Sequence, residues 1–275
     1  MSSIRQVKDN HQEIIGLIPA GGRAKRLAPL PCSKELYPIG FRRSDKNGSL
    51  RPKVVCHYLL EKMRLAGIMK TYIVLREGKW DIPSYLGDGM MLDMNLAYLI
   101  MRLPFGVPYT IDQGYPFLQN AMVAFGFPDI IFQPDDAFVV LLDRQNNTGA
   151  DVVLGLFPVE EPQKWDVVDM HHDGIIRQIV IKSIHTNLRH TWIIAVWTPV
   201  FTQFMHEYLS AIQKENIQCS HPNNIPNDKE LFLGHVMQAA IDNHIRVEGV
   251  LFPDHTCLDI GTPDDLVRTI HQSEK

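Results

Sequence analysis

Recurrent β-branched apolar runs constrain this chain most. Glu13–Ala20 (EIIGLIPA), Thr71–Arg76 (TYIVLR), Asp129–Phe132 (DIIF) and Asp151–Pro158 (DVVLGLFP) are strand candidates, with helix-like segments between them. Near-continuous apolar runs of this length suit strands covered on both faces, and alternation with helices predicts an α/β fold with a mostly parallel sheet. Val54–Gly67 is the clearest helix, with Val55, Tyr58, Leu59, Met63 and Leu65 as its apolar positions and Gly67 as its stop.

After about residue 160 the texture changes. Val167–Met170, Ile175–Ile181 and Thr191–Thr198 read as strands joined by short turns such as His172-Asp173-Gly174, predicting a smaller β-rich insertion that forms a meander beside the sheet. Helical stretches at Pro199–Lys214 and Lys229–Asn243 follow, then a strand at Arg246–Phe252 and a last helix from Pro263. No repeat or long linker interrupts the chain, so the 275 residues read as one domain: 11–160, then 161–262, then a C-terminal helix over 263–275. Trp192 and Trp197 read as packing residues, His171-His172 as part of a turn, and Asp135-Asp136 as a helix N-cap. Gly89–Met101 is the most apolar stretch, but Asp93 and Asn95 interrupt it, and its methionines read as core filling.

Composition narrows the function. A net charge of −4 with dispersed cations disfavours nucleic acid as the main partner. No stretch reaches the roughly 18 apolar residues of a membrane span, and the N-terminal MSSIRQVKDNHQEII lacks a basic start followed by an apolar run. Cys32, Cys56, Cys219 and Cys257 form neither a CxxC pair nor a zinc pattern. A cytoplasmic, reducing location is expected.

The first strand runs into Ala20-Gly21-Gly22-Arg23-Ala24-Lys25-Arg26. Glycines there let backbone N–H groups approach a phosphate, and Arg23, Lys25, Arg26 and Lys34 add the charge a polyphosphate needs. Neither GxxxxGK[ST] nor GxGxxG is present, and on local composition alone a solvated loop fits slightly better.

The longer string IPAGGRAKRLAPLPCSKELYPIG resembles the N-terminal motif of the sugar-1-phosphate nucleotidyltransferases, closest to their glucose-1-phosphate thymidylyltransferase branch. Further landmarks resemble that family in order. They are Arg51-Pro52-Lys53, Ala66-Gly67-Ile68, Asp129 at the family's LGD, Asp166 near its YGVV, Lys182 at its EKP, and Leu258-Asp259-Ile260-Gly261-Thr262-Pro263 at its DxGTP. The resemblance implies a Rossmann-like sheet flanked by helices, with the β-rich part binding sugar and residues 11–160 binding nucleotide. It implies Mg²⁺-dependent in-line transfer between a nucleoside triphosphate, dTTP or UTP, and a sugar 1-phosphate, and it implies a homo-oligomer. Arg26 and Lys34 would be catalytic. Ala20, Gly21, Gly22, Arg23 and Gln113 would bind nucleotide, Lys182 and Lys229 the sugar phosphate, and Asp129 and Asp259 the metal.

Each residue also has a plainer role open to it. Arg26 and Lys34 could be surface cations, Asp129 could start a strand, Asp259 could cap the turn before Gly261, and Lys182 could be solvated. The sequence departs from the family at Ala24, where a second glycine is usual, at Pro128, and at Ile181, which replaces the glutamate of EKP and so removes an acceptor for sugar hydroxyls. These departures motivate an alternative, a weakly active or silent nucleotide-sugar-binding regulator of the same fold.

Overall fold

A computed structural model describes residues 12–43, 48–101, 106–219 and 230–273. In the first half, β1 (Ile14–Ala20), β2 (Pro38–Arg43) and β3 (Leu50–Val54) precede helix α1 (Val55–Leu65), then come β4 (Lys70–Leu75), α2 (Asp81–Leu86) and β5 (Asn95–Ile100). Two short helices, α3 (Val107–Ile111) and α4 (Tyr115–Leu118), lead into β6 (Met122–Gly126), β7 (Ile130–Phe132) and α5 (Ala137–Thr148). The second half holds β8 (Val152–Pro158), β9 (Asp166–Met170), β10 (Ile176–Ile181), β11 (His190–Trp197), α6 (Pro199–Cys219) and α7 (Leu233–Asp242). It closes with β12 (Val247–Leu251), β13 (Cys257–Asp259) and α8 (Pro263–Ser273).

The strands β5, β4, β1 and β6 lie side by side and all run parallel, as the apolar runs predicted. Beyond β6 comes β11, antiparallel, then β8 and β12, parallel to each other. The strand β11 forks the sheet. Its C-terminal half pairs with β6, whereas Thr191 near its start pairs with Val167 of β9, which pairs in turn with β10. The β-rich segment therefore continues the main sheet instead of standing beside it, because β11 is long enough to serve two neighbours along one edge.

Helices cover both faces. Along β1, Ile18 and Ala20 join a core with Leu59, Met63 and Phe138, while Ile15 and Leu17 join a second core with Ile111, Phe201 and Met237. This is the strand alternation expected of a doubly covered sheet. At its central line Phe125 of β6 is fully buried and meets Phe127, Trp192 and Trp197.

Several expectations need correction. Residues Met122–Gly126 were not expected to form a strand, yet β6 is buried throughout. Leu65 ends α1 58% exposed, because Leu60 and the alkyl stem of Lys62 take the core-facing positions. Met90 is 77% exposed, and the stretch read as core filling contributes an edge strand, β5, along with buried Leu92 and Met94. Asp136 sits at the N-cap of α5 without a side-chain cap bond, and Asp135 instead pairs with the buried Lys62. The turn at His171 is as expected, closed by Gly174 N–H to the His171 carbonyl at 3.0 Å.

Because Phe125 links the aromatic cluster to both neighbouring strands, Phe125→Ala should cost about 3–5 kcal/mol of stability. Urea unfolding would show this as a lower midpoint with little change in slope, and a loss under 1 kcal/mol would mean that the cluster repacks.

Candidate functional site

The loop after β1, the β6–β7 connection, the start of β13's turn and the β9–β10–β11 fork border one cavity of about 380 Å³. Gly21, Gly22, Arg26 and Lys34 line it from the loop after β1, Asp129 and Asp259 from the β7–β13 ladder, and Lys164, Trp165, Asp166, Lys182, Trp192 and Phe232 from the fork and the start of α7. The sheet explains this convergence, since ligands of open α/β sheets sit beyond the carboxyl ends of the parallel strands.

Two carboxylates far apart in sequence are joined by a two-stranded ladder. In the β13–β7 pairing Asp259 lies opposite Ile130, which brings it beside Asp129. Asp129 thus ends just before its strand instead of within it. Its carboxylate takes an ion pair from Lys34. Burial, and then the neighbouring Asp129 charge, push the Asp259 carboxyl up to about 6, while Lys34 and the Gly261 N–H work against that rise. Two half-buried hard carboxylates that repel one another form a donor set suited to a divalent cation such as Mg²⁺, whose charge would relieve the repulsion. Asp259 also accepts from the Gly261 N–H, so the capping role and a metal-binding role are compatible. A side chain at Gly261 would start 3.1 Å from Arg26 Nη2 and 2.8 Å from Asp259 Oδ2, which places the Arg26 guanidinium at the same corner.

Lys34 stands on a buried support. Its neighbour Glu35 is 2% exposed and accepts two hydrogen bonds from Lys79 Nζ, at 2.6 and 2.7 Å, with Lys79 4% exposed. Burial raises the Glu35 pKa and lowers that of Lys79, and each partner's charge opposes the other's shift. Burial alone would also lower Lys34, but Asp129, aided by Glu35 and Asp259, holds it above the usual lysine value. Lys34 is therefore a fixed cation at the cavity. Ser33, one residue earlier, is anchored too, donating from N and Oγ to Asp81 at 2.6 and 2.8 Å.

The other expected residues divide. A Cβ at Gly21 would stand 2.5 Å from Met101 Sδ, so the close approach there depends on glycine, whereas a Cβ at Gly22 would meet the Lys34 side chain only at 3.8 Å, an ordinary contact. Ala20 is buried at the end of β1 and is not on the cavity wall, and Arg23 is exposed and also off it. Gln113 is likewise off the wall. It lies in a single 3₁₀ turn and donates Nε2 to the Tyr109 carbonyl at 3.3 Å, and Thr110 and Val107 take the wall position near Gly21. Lys182 does reach the cavity, with its ammonium 3.7 Å above the Phe232 ring. Lys229 lies outside the described residues. Sequence reasoning missed the Lys79–Glu35 pair, Lys164 and the aromatic wall; only the unusual Lys-Glu succession at 34–35 hinted at the pair.

A family model described as nucleotidyl transferase matches residues 15–275. The chain is 27% identical over 203 residues to a glucose-1-phosphate thymidylyltransferase of Streptomyces griseus, covering 71% of this chain and 51% of that protein. A protein of the same name from Streptomyces antibioticus is 23% identical over 261 residues, covering 91% and 64%. A low-salt glycan biosynthesis nucleotidyltransferase of Haloferax volcanii is 24% identical over 170 residues, covering 61% and 44%. The chain thus spans between 44% and 64% of the length of these relatives. Its fold matches that of a candidate glucose-1-phosphate thymidylyltransferase from Bacillus anthracis, solved in complex with sucrose. The TM-score is 0.75 at 18% identity, over 95% of this chain and 96% of that one.

Lys79→Met would leave Glu35 buried and unpaired, and should lower stability by about 3–5 kcal/mol, whereas Glu35→Leu with Lys79→Met should recover most of it. Thermal and urea unfolding of both variants check this; equal losses would show that the pair is not coupled.

Proposed function

The chain belongs to the nucleotidyl transferase family, and from that premise we propose that it joins a nucleoside triphosphate to a sugar 1-phosphate with release of pyrophosphate. The carrying observation is the cavity's charge order: Arg26 and Lys34 beside the Gly21-Gly22 turn, the neighbouring carboxylates Asp129 and Asp259 next to them, and two further cations, Lys164 and Lys182, the latter above an aromatic ring, on the β9–β10 side. A substrate pair with phosphates meeting at the middle and a sugar among aromatic side chains suits that order.

In the reaction a phosphate oxygen of the sugar 1-phosphate attacks the α-phosphorus, a new P–O bond forms there, and the bond to the bridging oxygen of the β-phosphate breaks. Pyrophosphate leaves with the electron pair, so nothing is oxidised or reduced. Such transfers depend chiefly on positioning and on fixed charge where negative charge builds up. Gly21 and Gly22 admit the triphosphate to the backbone. Arg26 holds the leaving phosphates, and Lys34, kept protonated by Asp129, faces the α-phosphate. Lys182 holds the sugar phosphate at the other end. Asp129 and Asp259 would hold Mg²⁺, which when bound neutralises phosphate charge and draws the two substrates together.

The relatives' names and the sequence resemblance support dTTP or UTP as the nucleotide and a hexose 1-phosphate as the acceptor. Thr110 and Val107 border the base end of the cavity; base reading by Gln113 requires its amide to release the Tyr109 carbonyl.

Pyrophosphate release should appear with Mg²⁺ and dTTP or UTP when hexose 1-phosphates are screened, and EDTA should stop it. Arg26→Ala and Lys34→Ala should each lower turnover by about 10²–10³. Asp129→Asn and Asp259→Asn should abolish Mg²⁺-supported transfer while the protein still melts cooperatively. Nucleotide binding by calorimetry that survives EDTA and both aspartate substitutions, with no pyrophosphate from any pair, would replace the enzyme with a binding protein.

A further inference from the structure

Two buried polar atoms of cavity-lining residues lack partners among the described residues. Asp166 Oδ1 has no hydrogen bond there, although the carboxylate also accepts from the Gly234 N–H. Trp192 Nε1 has no acceptor among the described residues, in a residue only 3% exposed. Both residues line the cavity. The strands set them side by side: Thr191 pairs with Val167, so one further rung of that antiparallel ladder puts Trp192 opposite Asp166. Directly opposed residues share a face with Cβ atoms roughly 4.5–5.5 Å apart. On its other side Asp166 pairs with Ile181 of β10, so the three positions follow one another across the strands.

A buried donor and a buried acceptor left unpaired cost stability, so folding alone gives no reason to keep them. The surrounding chain nevertheless holds Asp166 in place. A side chain at Gly234 would stand 2.5 Å from Asp166 Oδ2 and 3.2 Å from Ile181 Cγ1, so glycine at the start of α7 is what makes room for the carboxylate. The carboxylate also meets the N-terminal end of α7, which favours negative charge.

We propose that Asp166 and Trp192 select the sugar by gripping one of its hydroxyl groups, which donates to Asp166 and accepts from the Trp192 indole. This rests on the reading that a sugar 1-phosphate occupies the Lys182 end of the cavity. An ionised carboxylate only accepts and an indole N–H only donates, and a hydroxyl is the simple group that answers both. An ammonium satisfies Asp166 but cannot accept from Trp192. A ligand carboxylate satisfies Trp192 but is repelled by Asp166. The substrate class is therefore a neutral, hydroxyl-bearing sugar phosphate in preference to an amino sugar or a uronic acid. The acceptor missing at Ile181 is supplied one strand away, on the opposed residue of the same ladder.

The test uses the full chain with glucose, galactose, mannose and glucosamine 1-phosphates, and monodeoxy analogues of the best of them, read by calorimetry and by pyrophosphate release with dTTP or UTP. Wild type should prefer a neutral hexose, and removal of one particular hydroxyl should weaken it by about ten- to hundredfold. In Asp166→Ala and in Trp192→Phe that penalty should shrink to a few-fold, while the sugars lacking that hydroxyl bind nearly as before. Both variants should still unfold cooperatively, since Asp166→Ala gives up only the bond from the Gly234 N–H and Trp192→Phe keeps an aromatic ring in the core. Turnover with an unchanged deoxy penalty in both variants, or a preference for glucosamine 1-phosphate, would overturn the inference and leave nucleotidyl transfer standing. No binding or turnover of any of these sugars by wild type would overturn both.

Discussion

Lys79, Glu35, Lys34, Asp129 and Asp259 form a chain of alternating and facing charges that runs from the interior to the cavity. Each member is desolvated and therefore unstable alone, and each is kept by the next. Lys79 permits Glu35 to be charged in the core; Glu35 and Asp129 together keep Lys34 protonated; Lys34 in turn offsets part of the repulsion between Asp129 and Asp259. The loop after β1 owes its position to this ladder as much as to its glycines. Without it, Lys34 would sample solvent and the loop would lose its fixed cation.

The sheet makes that ladder possible. Asp129 follows β6, the strand beside β1, and Asp259 arrives about 130 residues later on a three-residue strand whose sole described partner is β7. A short ladder of this kind contributes little stability of its own. Its value is positional, because it fixes the second carboxylate relative to a strand already rigid within the core. The fork at β11 does the same for the opposite end of the cavity, carrying Asp166 and Trp192 to where β6 has stopped and space opens.

What could be read from the sequence followed period and local chemistry. The strands β1, β4 and β8 and the helix α1 announced themselves through apolar patterning, and Gly21, Gly22, Arg26, Lys34, Asp129, Lys182 and Asp259 through their order along the chain. The strand β6 was not legible. Its five residues, MVAFG, end in glycine and run into Phe127-Pro128, so they carry little β-branched signal although they lie at the centre of the sheet. Glu35 and Lys79 were illegible for a different reason: their pairing spans 44 residues and exists only once β1 and β4 lie parallel. Asp166 was visible as a family landmark, but its unpartnered oxygen depends on the registers of β9 with β10 and β11. Gln113 shows the converse, a residue of suitable chemistry whose short 3₁₀ turn directs its amide to a backbone carbonyl.

Backbone strain marks the same two ends of the cavity. Four described residues other than glycine have positive φ: Ala24 at 49°, Asp93 at 52°, Lys182 at 43° and His244 at 63°. Aspartate and histidine tolerate the left-handed region comparatively well, and Asp93 and His244 end helical segments where such a turn is ordinary. Alanine and lysine gain nothing local there, and each costs of order 1 kcal/mol or more. Ala24 lies between Gly22 and Arg26 and turns the chain so that Leu27 and Ala28 both donate to its carbonyl. Lys182 leaves β10 in the same conformation, and its N–H donates to the Trp165 carbonyl at 3.1 Å while its ammonium reaches the Phe232 face. At Ala24, where the resembling family has a glycine, the loop after β1 thus takes a left-handed bend and bears a Cβ within it. That strain persists because the flanking glycines, the Lys34 ladder and the β9–β10 register fix the segments on either side.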